Sequence, residues 1–313
     1  MDKKILITGS EGFIGGNLVK HCIKNNIEYF APKFQELDIS DPFSVANYLK
    51  DKKITHCIHS ATTLRTGTDY PDHVLKNNLK MFFNLETLLP DDVKLINFGS
   101  GSEYNRQNWI PKMEEKYFGI FIPDDDHSYA KYLISKYISN SNNRRDMVTF
   151  RIFGIYGEGE DYRFKFISNL IAKVIHNIDP IINQNAYYDY IDVIDFCKIC
   201  FELIFREKTF LFDSINVCSG NVQSLESFAI KVIKLSKKKN INYSIIDKNL
   251  GREYSGSNKR LIEILGYEPK LNNTDETIKR LYNYYQKNEN KLSKKDLIND
   301  SYLNYAKKIM KKK

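Results

Sequence analysis

The amino-acid sequence predicts an α/β fold, with a doubly wound parallel sheet in the first half and a smaller α/β portion in the second. Short apolar segments alternate with helical segments through the first half of the chain. The connections are long enough to hold helices, which implies right-handed crossovers and a parallel sheet covered on both faces. A glycine-rich turn follows the first apolar segment, at the edge where open α/β sheets bind ligands.

Each predicted strand is a short apolar segment, and each predicted helix carries apolar residues at helical spacing. The predicted strands of the first half are, in order, "KKILITG", "IEYFAP", "THCIHSA", "VKLINFGSGS" and "MVTFRIFGIYG". The helices between them are "FIGGNLVKHCIKNN", "DPFSVANYLKDKK", "DHVLKNNLKMFFNLETLL" and "YAKYLISKYISNS". After residue 160 the alternation is less regular, with helices in "RFKFISNLIAKVI" and "SLESFAIKVIKLSKKK", a strand running into a helix in "YYDYIDVIDFCKICFELIF", and a strand in "SINVCSG".

The glycine turn "TGSEGFIGG" places Gly9, Gly12 and Gly15 between the first strand and the first helix. Glycines at this spacing permit a tight turn, a close approach of the backbone to a pyrophosphate, and close contact between helix and strand. The helix N-terminus would then hold the anion. The turn therefore favours dinucleotide binding over a purely structural role.

The boundary near residue 160 follows from the change in pattern along the chain, and the one near residue 285 from the end of the resemblance described below. We expect a dinucleotide-binding domain in residues 1–160, with sheet elements returning near 186–218. A mainly substrate-binding portion is expected in residues 161–285, and a lysine-rich extension in residues 286–313.

Composition excludes several classes of protein. The chain has 313 residues, 42% of them hydrophobic, and no apolar run approaches the roughly 20 residues that span a bilayer. The strand-like start predicts a cytoplasmic location without a signal peptide. The net charge of +8 arises partly from tail lysines without interleaved aromatic residues. We therefore expect a solvated tail helix and neither a nucleic-acid nor a membrane partner.

The chain has five cysteines, an odd number scattered along the sequence. Such a set fits a protein of a reducing compartment. Cys197 and Cys200 form a CxxC, but no second pair follows at zinc spacing. Because both lie in an apolar helical pattern, we predict buried thiols and no metal site.

The second strand bears on the choice between NAD and NADP. An acidic residue at its end would accept a hydrogen bond from the ribose 2'-hydroxyl, whereas a basic residue accommodates a 2'-phosphate. Here Lys33 lies just beyond the strand, which favours NADP(H) and leaves NAD(H) possible, unless Lys33 is only an exposed loop lysine. Asp38 is predicted either to meet the adenine or to cap the helix that begins near "DPFSV".

The stretch "HSYAKYLISKY" offers a tyrosine and a lysine on one face of a helix. Side chains four residues apart are neighbours on a helix, and Tyr132 is the tyrosine here that is followed at that distance by a lysine, Lys136. A neighbouring ammonium lowers the pKa of a phenol from its ordinary value near 10 toward the range useful for general acid catalysis. The pair is therefore a candidate proton donor.

Several segments together resemble the extended short-chain dehydrogenase/reductases that act on nucleotide-linked sugars. These segments are "ILITGSEGFIG", "ELDISDPFSVANYLKDKKITHCIHSAT", "NNLKMFFNL", "INFGSGSEY" and "YLISK". The likeness is greatest to dTDP-4-keto-rhamnose reductases and GDP-fucose synthases, and it runs from residue 3 to about residue 285. The resemblance implies a Rossmann-type fold, a nicotinamide cofactor, a nucleotide-sugar substrate and a homodimer.

The residue patterns and the resemblance together predict the site. The resemblance implies a catalytic serine at Ser100 and the YxxxK pair at Tyr132 and Lys136, and it matches Arg151 to a motif that follows them. The predicted cofactor-binding residues are Gly9, Gly12, Phe13, Ile14, Gly15, Lys33, Asp38, Ile39, Ala61, Asn78, Tyr132 and Lys136. The predicted substrate-binding residues are Ser100, Ser102, Arg163, Lys165 and Arg252, and the basic ones among them are alternatively solvent-exposed.

The sequence departs from the resembled family at two positions. Ser102 stands where GDP-fucose synthases carry the cysteine used in epimerisation, and an unactivated hydroxyl is a poor base toward carbon. Tyr188 stands where an arginine often contacts the nucleotide. We therefore expect a reductase of a nucleotide-linked 4-keto sugar in bacterial surface polysaccharide synthesis. The alternatives are a 4-epimerase, a 3,5-epimerase/reductase or a non-catalytic dinucleotide-binding regulator.

Overall fold

The computed structural model describes residues 3–65, 67–140, 145–206 and 209–311. Its main sheet has six parallel strands in the order β2-β1-β3-β4-β5-β9. They are β1 (Ile5–Thr8), β2 (Tyr29–Phe30), β3 (His56–His59), β4 (Lys94–Ser100), β5 (Met147–Ile152) and β9 (Ser214–Val217). The predicted parallel sheet is confirmed.

Helices cover both faces of this sheet. The helices of the first half are α1 (Phe13–Lys24), α2 (Pro42–Leu49), α3 (Val74–Leu88) and α4 (Asp126–Ser139). Successive residues of a strand point to opposite faces. Thus Ile5 packs with α1 and with α6 (Val193–Arg206), whereas Leu6 packs with α2, α3 and α4. The doubly wound arrangement therefore follows from buried strands that are apolar on both faces.

The chain leaves the main sheet at Phe153. The segment predicted as a single strand is two strands, β5 in the main sheet and β6 (Gly154–Tyr156), which pairs with β8 (Tyr187–Asp192). Strand β8 also pairs with β10 (Val222–Ser224), and β7 (Ile181–Gln184) pairs with β11 (Ser244–Asp247). The main sheet and these smaller sheets are therefore linked within one apolar sequence segment.

A second apolar core lies among the helices of the second half. It joins α5 (Phe166–Ile175), α7 (Leu225–Ser236) and α9 (Thr274–Lys287), and α8 (Lys259–Leu265) packs separately against the main sheet. Cys197 and Cys200 are buried in the main-sheet core, as predicted. No helix in the described ranges is both long enough and apolar enough to cross a bilayer.

The C-terminal extension packs against this core. Residues of α10 (Lys294–Asn299) and α11 (Ser301–Lys311) are helical, and Leu292 and Leu297 are buried with α5, α7 and α9. The buried Lys173 ammonium pairs with Asp300. The expectation of a solvated tail was therefore wrong for residues up to Leu303, because leucines spaced among the lysines supply an apolar face.

Glu160 gives a testable pH dependence of stability. Its carboxylate accepts a hydrogen bond from the Ser168 hydroxyl, and burial raises its pKa from 4.5 to about 7. Because the folded state then holds a proton that the unfolded state has lost, stability falls as the pH rises from about 4.5 to about 7. We expect Glu160→Gln to remove this loss, gaining on the order of 3 kcal/mol relative to the wild type between pH 4 and pH 8. Urea denaturation of both proteins at pH 4 and pH 8 measures this difference in stability.

The exposed Glu268 supplies the matched control for this measurement. Glu268→Gln should leave the pH dependence of the denaturation midpoint as in the wild type. A Glu160→Gln variant whose stability changes with pH in parallel with the wild type would show that the Glu160 carboxyl is not responsible.

Candidate active site at the carboxyl edge of the sheet

The glycine turn after β1 forms a cradle that excludes side chains. Gly9 has φ +67°, and the Gly12 amide donates to the Gly9 carbonyl over 3.0 Å. A Cβ on Gly15 would lie 2.1 Å from the Gly9 carbonyl oxygen. Helix α1 begins at Phe13 without a side-chain cap, so the amides of its first turn, including those of Phe13 and Ile14, have no capping acceptor. This arrangement fits the pyrophosphate of a dinucleotide.

The region beyond β2 is organised by Ser10 and Asp38. The Ser10 hydroxyl is within hydrogen-bonding distance of the carbonyls of Ala31 and Pro32, at 3.2 and 2.9 Å. Asp38 accepts hydrogen bonds from the amide and the hydroxyl of Ser40. Helix α2 is capped by Asp41 instead, so the capping alternative for Asp38 was wrong.

Lys33 and Ile39 differ in their exposure. Lys33 is exposed, and its ammonium joins none of the ion pairs found among the described residues. The Ile39 side chain is buried against α2 and α3. The Ile39 backbone carbonyl accepts a hydrogen bond from the side-chain amide of Asn84. Lys33 is therefore free to meet a 2'-phosphate, whereas the Ile39 side chain belongs to the core.

Ala61 borders the glycine turn from the β3 side, and Asn78 is hydrogen-bonded to Thr63, two residues further along the chain. A Cβ on Gly9 would lie 2.7 Å from the Ala61 Cα. The Asn78 carboxamide oxygen accepts from the Thr63 amide over 2.9 Å, while its buried Nδ2 has no hydrogen-bond partner in the described part of the chain. Buried amide nitrogens are normally satisfied, so this open donor fits a ligand beside the turn.

Ser100, at the end of β4, is held by a buried ion pair. The Ser100 amide donates to Glu103 over 2.7 Å, and the other Glu103 oxygen accepts from the Arg151 guanidinium over 2.8 Å. Both side chains of this ion pair are wholly buried. The Ser100 hydroxyl accepts from the Ser102 amide and the Ser102 hydroxyl, at 3.1 and 2.9 Å. Glu103 was not predicted as a site residue, although "SGSE" has the spacing of a capping box.

Tyr132 and Lys136 lie together, next to Gly119. A Cβ on Gly119 would approach the Tyr132 hydroxyl at 4.0 Å and the Lys136 ammonium at 3.6 Å. The Tyr132 ring packs 5.1 Å from Phe118. Among the described residues, no hydrogen bond joins Tyr132 or Lys136 to Ser100. Their catalytic role stays a prediction.

Helix α4 also carries Lys131 and His127, which lie one turn apart. The Lys131 ammonium donates to the Phe98 carbonyl in β4 over 2.7 Å, and burial lowers its pKa against the opposing effect of Glu103. His127, one turn earlier, stacks on Tyr70 with ring centroids 4.1 Å apart, and its buried Nδ1 has no partner in the described ranges. His127 and Lys131 were not predicted as site residues, although they have the same four-residue spacing as Tyr132 and Lys136.

Basic side chains collect around His127. Burial, and then the charges of Lys131, Arg65, Arg106 and Lys165, hold the pKa of His127 well below its ordinary value of 6.5. Lys165 is therefore within electrostatic range of His127, and its substrate contact stays a prediction. Arg65 and Arg106 were missed, because nothing in their local sequence marks them.

The two arginines predicted to bind substrate, Arg163 and Arg252, differ in their ion pairing. Arg163 forms a bidentate ion pair with Asp161, at 2.9 and 2.8 Å, and Arg252 is exposed without an ion pair among the described residues. Substrate contacts of Arg163 and Arg252 remain predictions. No group of three or more side chains in the described part of the chain is arranged to hold a metal ion.

An aromatic wall faces Ser100 from the second half of the chain. The Tyr254 hydroxyl interacts with Ser100, and burial raises the pKa of this phenol. The Tyr254 ring lies 4.2 Å from Trp109 and 5.5 Å from Tyr188. Tyr188 thus belongs to a cluster of aromatic rings in tilted and edge-to-face contact, a surface suited to a planar or sugar ring.

Comparisons with known proteins agree with this geometry. The family model described as "NAD dependent epimerase/dehydratase family" matches residues 5–218. GDP-L-colitose synthase of Yersinia pseudotuberculosis is 23% identical, covering 82% of this chain and 93% of its own. GDP-6-deoxy-D-talose 4-dehydrogenase of Aggregatibacter actinomycetemcomitans is 26% identical, covering 69% of this chain and 74% of its own.

Solved structures share the fold. The GDP-mannoheptose C4 reductase MlghC of Campylobacter jejuni, solved with NADP bound, aligns with a TM-score of 0.75 at 18% identity, covering 91% of this chain and 98% of its own. A GDP-L-fucose synthetase from Naegleria fowleri aligns with a TM-score of 0.78 at 14% identity, covering 94% and 95%. The resemblance inferred from the sequence is confirmed, and the chain belongs to the NAD-dependent epimerase/dehydratase family.

Proposed function

We propose that the protein is an NAD(P)H-dependent reductase of a nucleotide-linked 4-keto sugar. The observation that carries the proposal is Ser100, whose backbone amide is held through Glu103 and Arg151 at the same sheet edge as the glycine cradle. Relatives named as GDP-sugar synthases and dehydrogenases support a sugar attached to a nucleotide. The homodimer and the cytoplasmic location stay predictions.

The charges at the site support a nucleotide diphosphate as the substrate's carrier. Arg65, Arg106 and Lys165 all act electrostatically on the same imidazole, so three cationic side chains converge on one region. Guanidinium groups bind phosphate oxygens through paired, charge-assisted hydrogen bonds. The aromatic wall around Tyr254 offers a surface for the rest of the substrate.

The chemistry of this site fits reduction. When bound, NAD(P)H supplies the hydride. The Ser100 hydroxyl would hydrogen-bond the carbonyl oxygen, which develops negative charge as hydride reaches the carbon. Tyr132 on helix α4, with Lys136 one turn later, would supply the proton.

Epimerisation at carbons beside the carbonyl is less well supported. It requires a base that removes a proton from carbon. The Ser102 hydroxyl occupies the position where such a base would stand, and it donates to Ser100 over 2.9 Å. A hydroxyl engaged in this way supports plain reduction.

A panel of 4-keto sugars tests the function. The purified protein is mixed with NADPH or NADH and with 4-keto sugars on GDP, CDP, dTDP and UDP, and the absorbance of reduced nicotinamide is followed. We expect rapid oxidation with one of the nucleotides. An altered sugar without net oxidation would establish an epimerase instead, and no change of either kind would support the dinucleotide-binding regulator.

Lys33 is expected to select NADPH. Lys33→Glu should weaken NADPH binding about ten-fold, because a charge-assisted contact with the 2'-phosphate is lost and repulsion replaces it. Binding of NADH, which lacks that phosphate, should change less than three-fold. Calorimetric dissociation constants for both cofactors measure the effect without a sugar substrate. Lys50→Glu at the end of α2 is the matched control, and equal weakening of both cofactors by Lys33→Glu would rule out the 2'-phosphate contact.

A further inference from the structure

The last helix of the chain, α11, lies beyond the part that matches the family. The family model matches residues 5–218, and the sequence resemblance ends at about residue 285. We propose that α11 forms a wall of the substrate site, and that Tyr305 on this helix holds the Arg65 guanidinium in position for the nucleotide diphosphate. This inference rests on the proposed function, and it makes Tyr305 a positioning residue for substrate binding.

The turn before α11 sets the direction of the helix. Asp300 has φ +48°, and its carboxylate accepts a hydrogen bond from the Leu303 amide over 3.2 Å. The same carboxylate pairs with the buried ammonium of Lys173 in α5. The Tyr302 ring then packs on Phe166 at the start of α5, with ring centroids 5.7 Å apart. Because Asp300 both caps α11 and contacts α5, the helix is anchored at its first turn.

Two side chains of α11 contact the loop between β3 and α3. The Arg65 guanidinium lies over the Tyr305 ring, 3.6 Å from the ring centroid. The Lys308 ammonium pairs with the Asp69 carboxylate. Tyr305 and Lys308 are three residues apart, so their side chains are neighbours on the helix surface. The helix therefore contacts this loop at two points.

Arg65 belongs to a stack of side chains that reaches from α11 to α4. Besides Tyr305, the Arg65 guanidinium lies over the Tyr70 ring at 4.8 Å, and the Tyr70 ring is stacked on the His127 ring at 4.1 Å. Stacking contacts the face of a guanidinium, whereas its N–H groups point outward in its plane. Those N–H groups form the paired hydrogen bonds that bind phosphate oxygens.

A tyrosine ring suits this position better than a carboxylate would. A carboxylate would hold Arg65 but would also neutralise the charge that binds a diphosphate, whereas an aromatic face attracts the guanidinium and leaves its net charge intact. Ser301–Lys311 contains no Asp or Glu. In the part of the chain that the structure describes, no carboxylate forms an ion pair with Arg65. The contacts of α11 therefore orient Arg65 and preserve its charge.

The aromatic wall links α11 to Ser100. Tyr305 is within electrostatic range of Tyr188 and of Arg106. The Tyr188 ring lies 5.5 Å from the Tyr254 ring, and the Tyr254 hydroxyl interacts with Ser100. A substrate that lies along this wall with its carbonyl at Ser100 can place its diphosphate beside the arginines at α11.

Binding of nucleoside diphosphates tests the proposal without a sugar substrate. The protein is saturated with NADP⁺ and titrated with GDP, CDP, dTDP and UDP by calorimetry. Tyr305→Leu keeps an apolar side chain on α11 but removes the ring, and it should weaken binding of the preferred nucleotide about ten-fold. Tyr305→Phe keeps the ring and should bind within about three-fold of the wild type. Tyr267→Leu, which removes an exposed ring that bonds to Glu202, is the matched control and should bind as the wild type does.

A double-variant cycle shows whether Tyr305 acts through Arg65. Arg65→Met should weaken nucleotide binding about 30-fold, because a charge-assisted hydrogen bond to phosphate is lost. Tyr305→Leu added to Arg65→Met should then weaken binding by less than about three-fold more. NADPH binding should stay within about two-fold of the wild type in every variant, because the glycine cradle is unchanged. Circular dichroism verifies that each variant folds.

Four results would overturn the proposal. Tyr305→Leu could weaken nucleotide binding no more than Tyr267→Leu does, or it could tighten binding, which would show that α11 obstructs the site. The effects of Tyr305→Leu and Arg65→Met could be fully additive, which would show that the two side chains act independently. The wild type could bind none of the four nucleotides. A protein that shows the expected dependence on Tyr305 yet reduces no sugar in the panel would contradict only the reductase assignment.

Discussion

Arg151→Met is expected to lower the free energy of unfolding by about 3–5 kcal/mol, because it leaves the buried carboxylate of Glu103 without its counter-ion. The same change removes the hydrogen bond from Arg151 to the Tyr104 hydroxyl, at 3.0 Å. Because Glu103 also holds the Ser100 amide, turnover should fall with stability. Denaturant midpoints and the rate of NADPH oxidation measure the two effects.

Two further variants identify the cause of the Arg151 effect. Arg151→Met combined with Glu103→Gln should recover part of the lost stability, because no unpaired charge then remains buried. Arg163→Met removes an exposed arginine that pairs with Asp161, and it should change stability by less than about 1 kcal/mol. If Arg151→Met lowers the free energy of unfolding and the turnover no more than Arg163→Met does, the buried ion pair does not hold Ser100 in place.

Gly15→Ala is expected to weaken NADPH binding at least about 100-fold, which corresponds to about 2.7 kcal/mol. The new Cβ would lie 2.1 Å from the Gly9 carbonyl oxygen, so either the turn or the helix must shift. A shift of the turn moves the amides at the start of α1 that would hold the pyrophosphate. Calorimetric titration with NADPH measures the change.

The neighbouring Gly16 provides the matched control for this prediction. A Cβ on Gly16 would lie 3.3 Å from the Ser10 carbonyl oxygen, a contact that a small adjustment relieves. Gly16→Ala should therefore bind NADPH within about five-fold of the wild type, or about 1 kcal/mol. A folded Gly15→Ala protein that binds NADPH as well as Gly16→Ala would contradict the assignment of this turn to the cofactor.

The fold was largely predictable because its signals are local. The strand, glycine turn and helix that begin the chain are adjacent in sequence, and the apolar segments around them mark the rest of the parallel sheet. The split at Phe153 was not predictable, because the apolar pattern continues across it while the strand partner changes from β4 to β8. The packing of the tail was not predicted, because the leucines that form its apolar face stand among many lysines in the sequence.

The site was predictable only where one segment supplies it. Ser100 follows its strand directly, and its neighbour Glu103 has a capping-box spacing. The contact of Lys131 with Phe98 was not predictable, because it depends on which face of α4 meets β4. The four-residue spacing within the helix does not encode that tertiary packing.

Deuterium transfer tests the reductase assignment most directly. NADPH labelled with deuterium on the transferring face of nicotinamide C4 is incubated with the 4-keto sugar that gives the fastest oxidation in the panel. We predict one deuteron at C4 of the product sugar, in amounts equal to the NADPH consumed, by NMR and mass spectrometry. A product sugar without cofactor-derived deuterium, or an epimerised sugar beside unconsumed labelled NADPH, would contradict the proposed reduction.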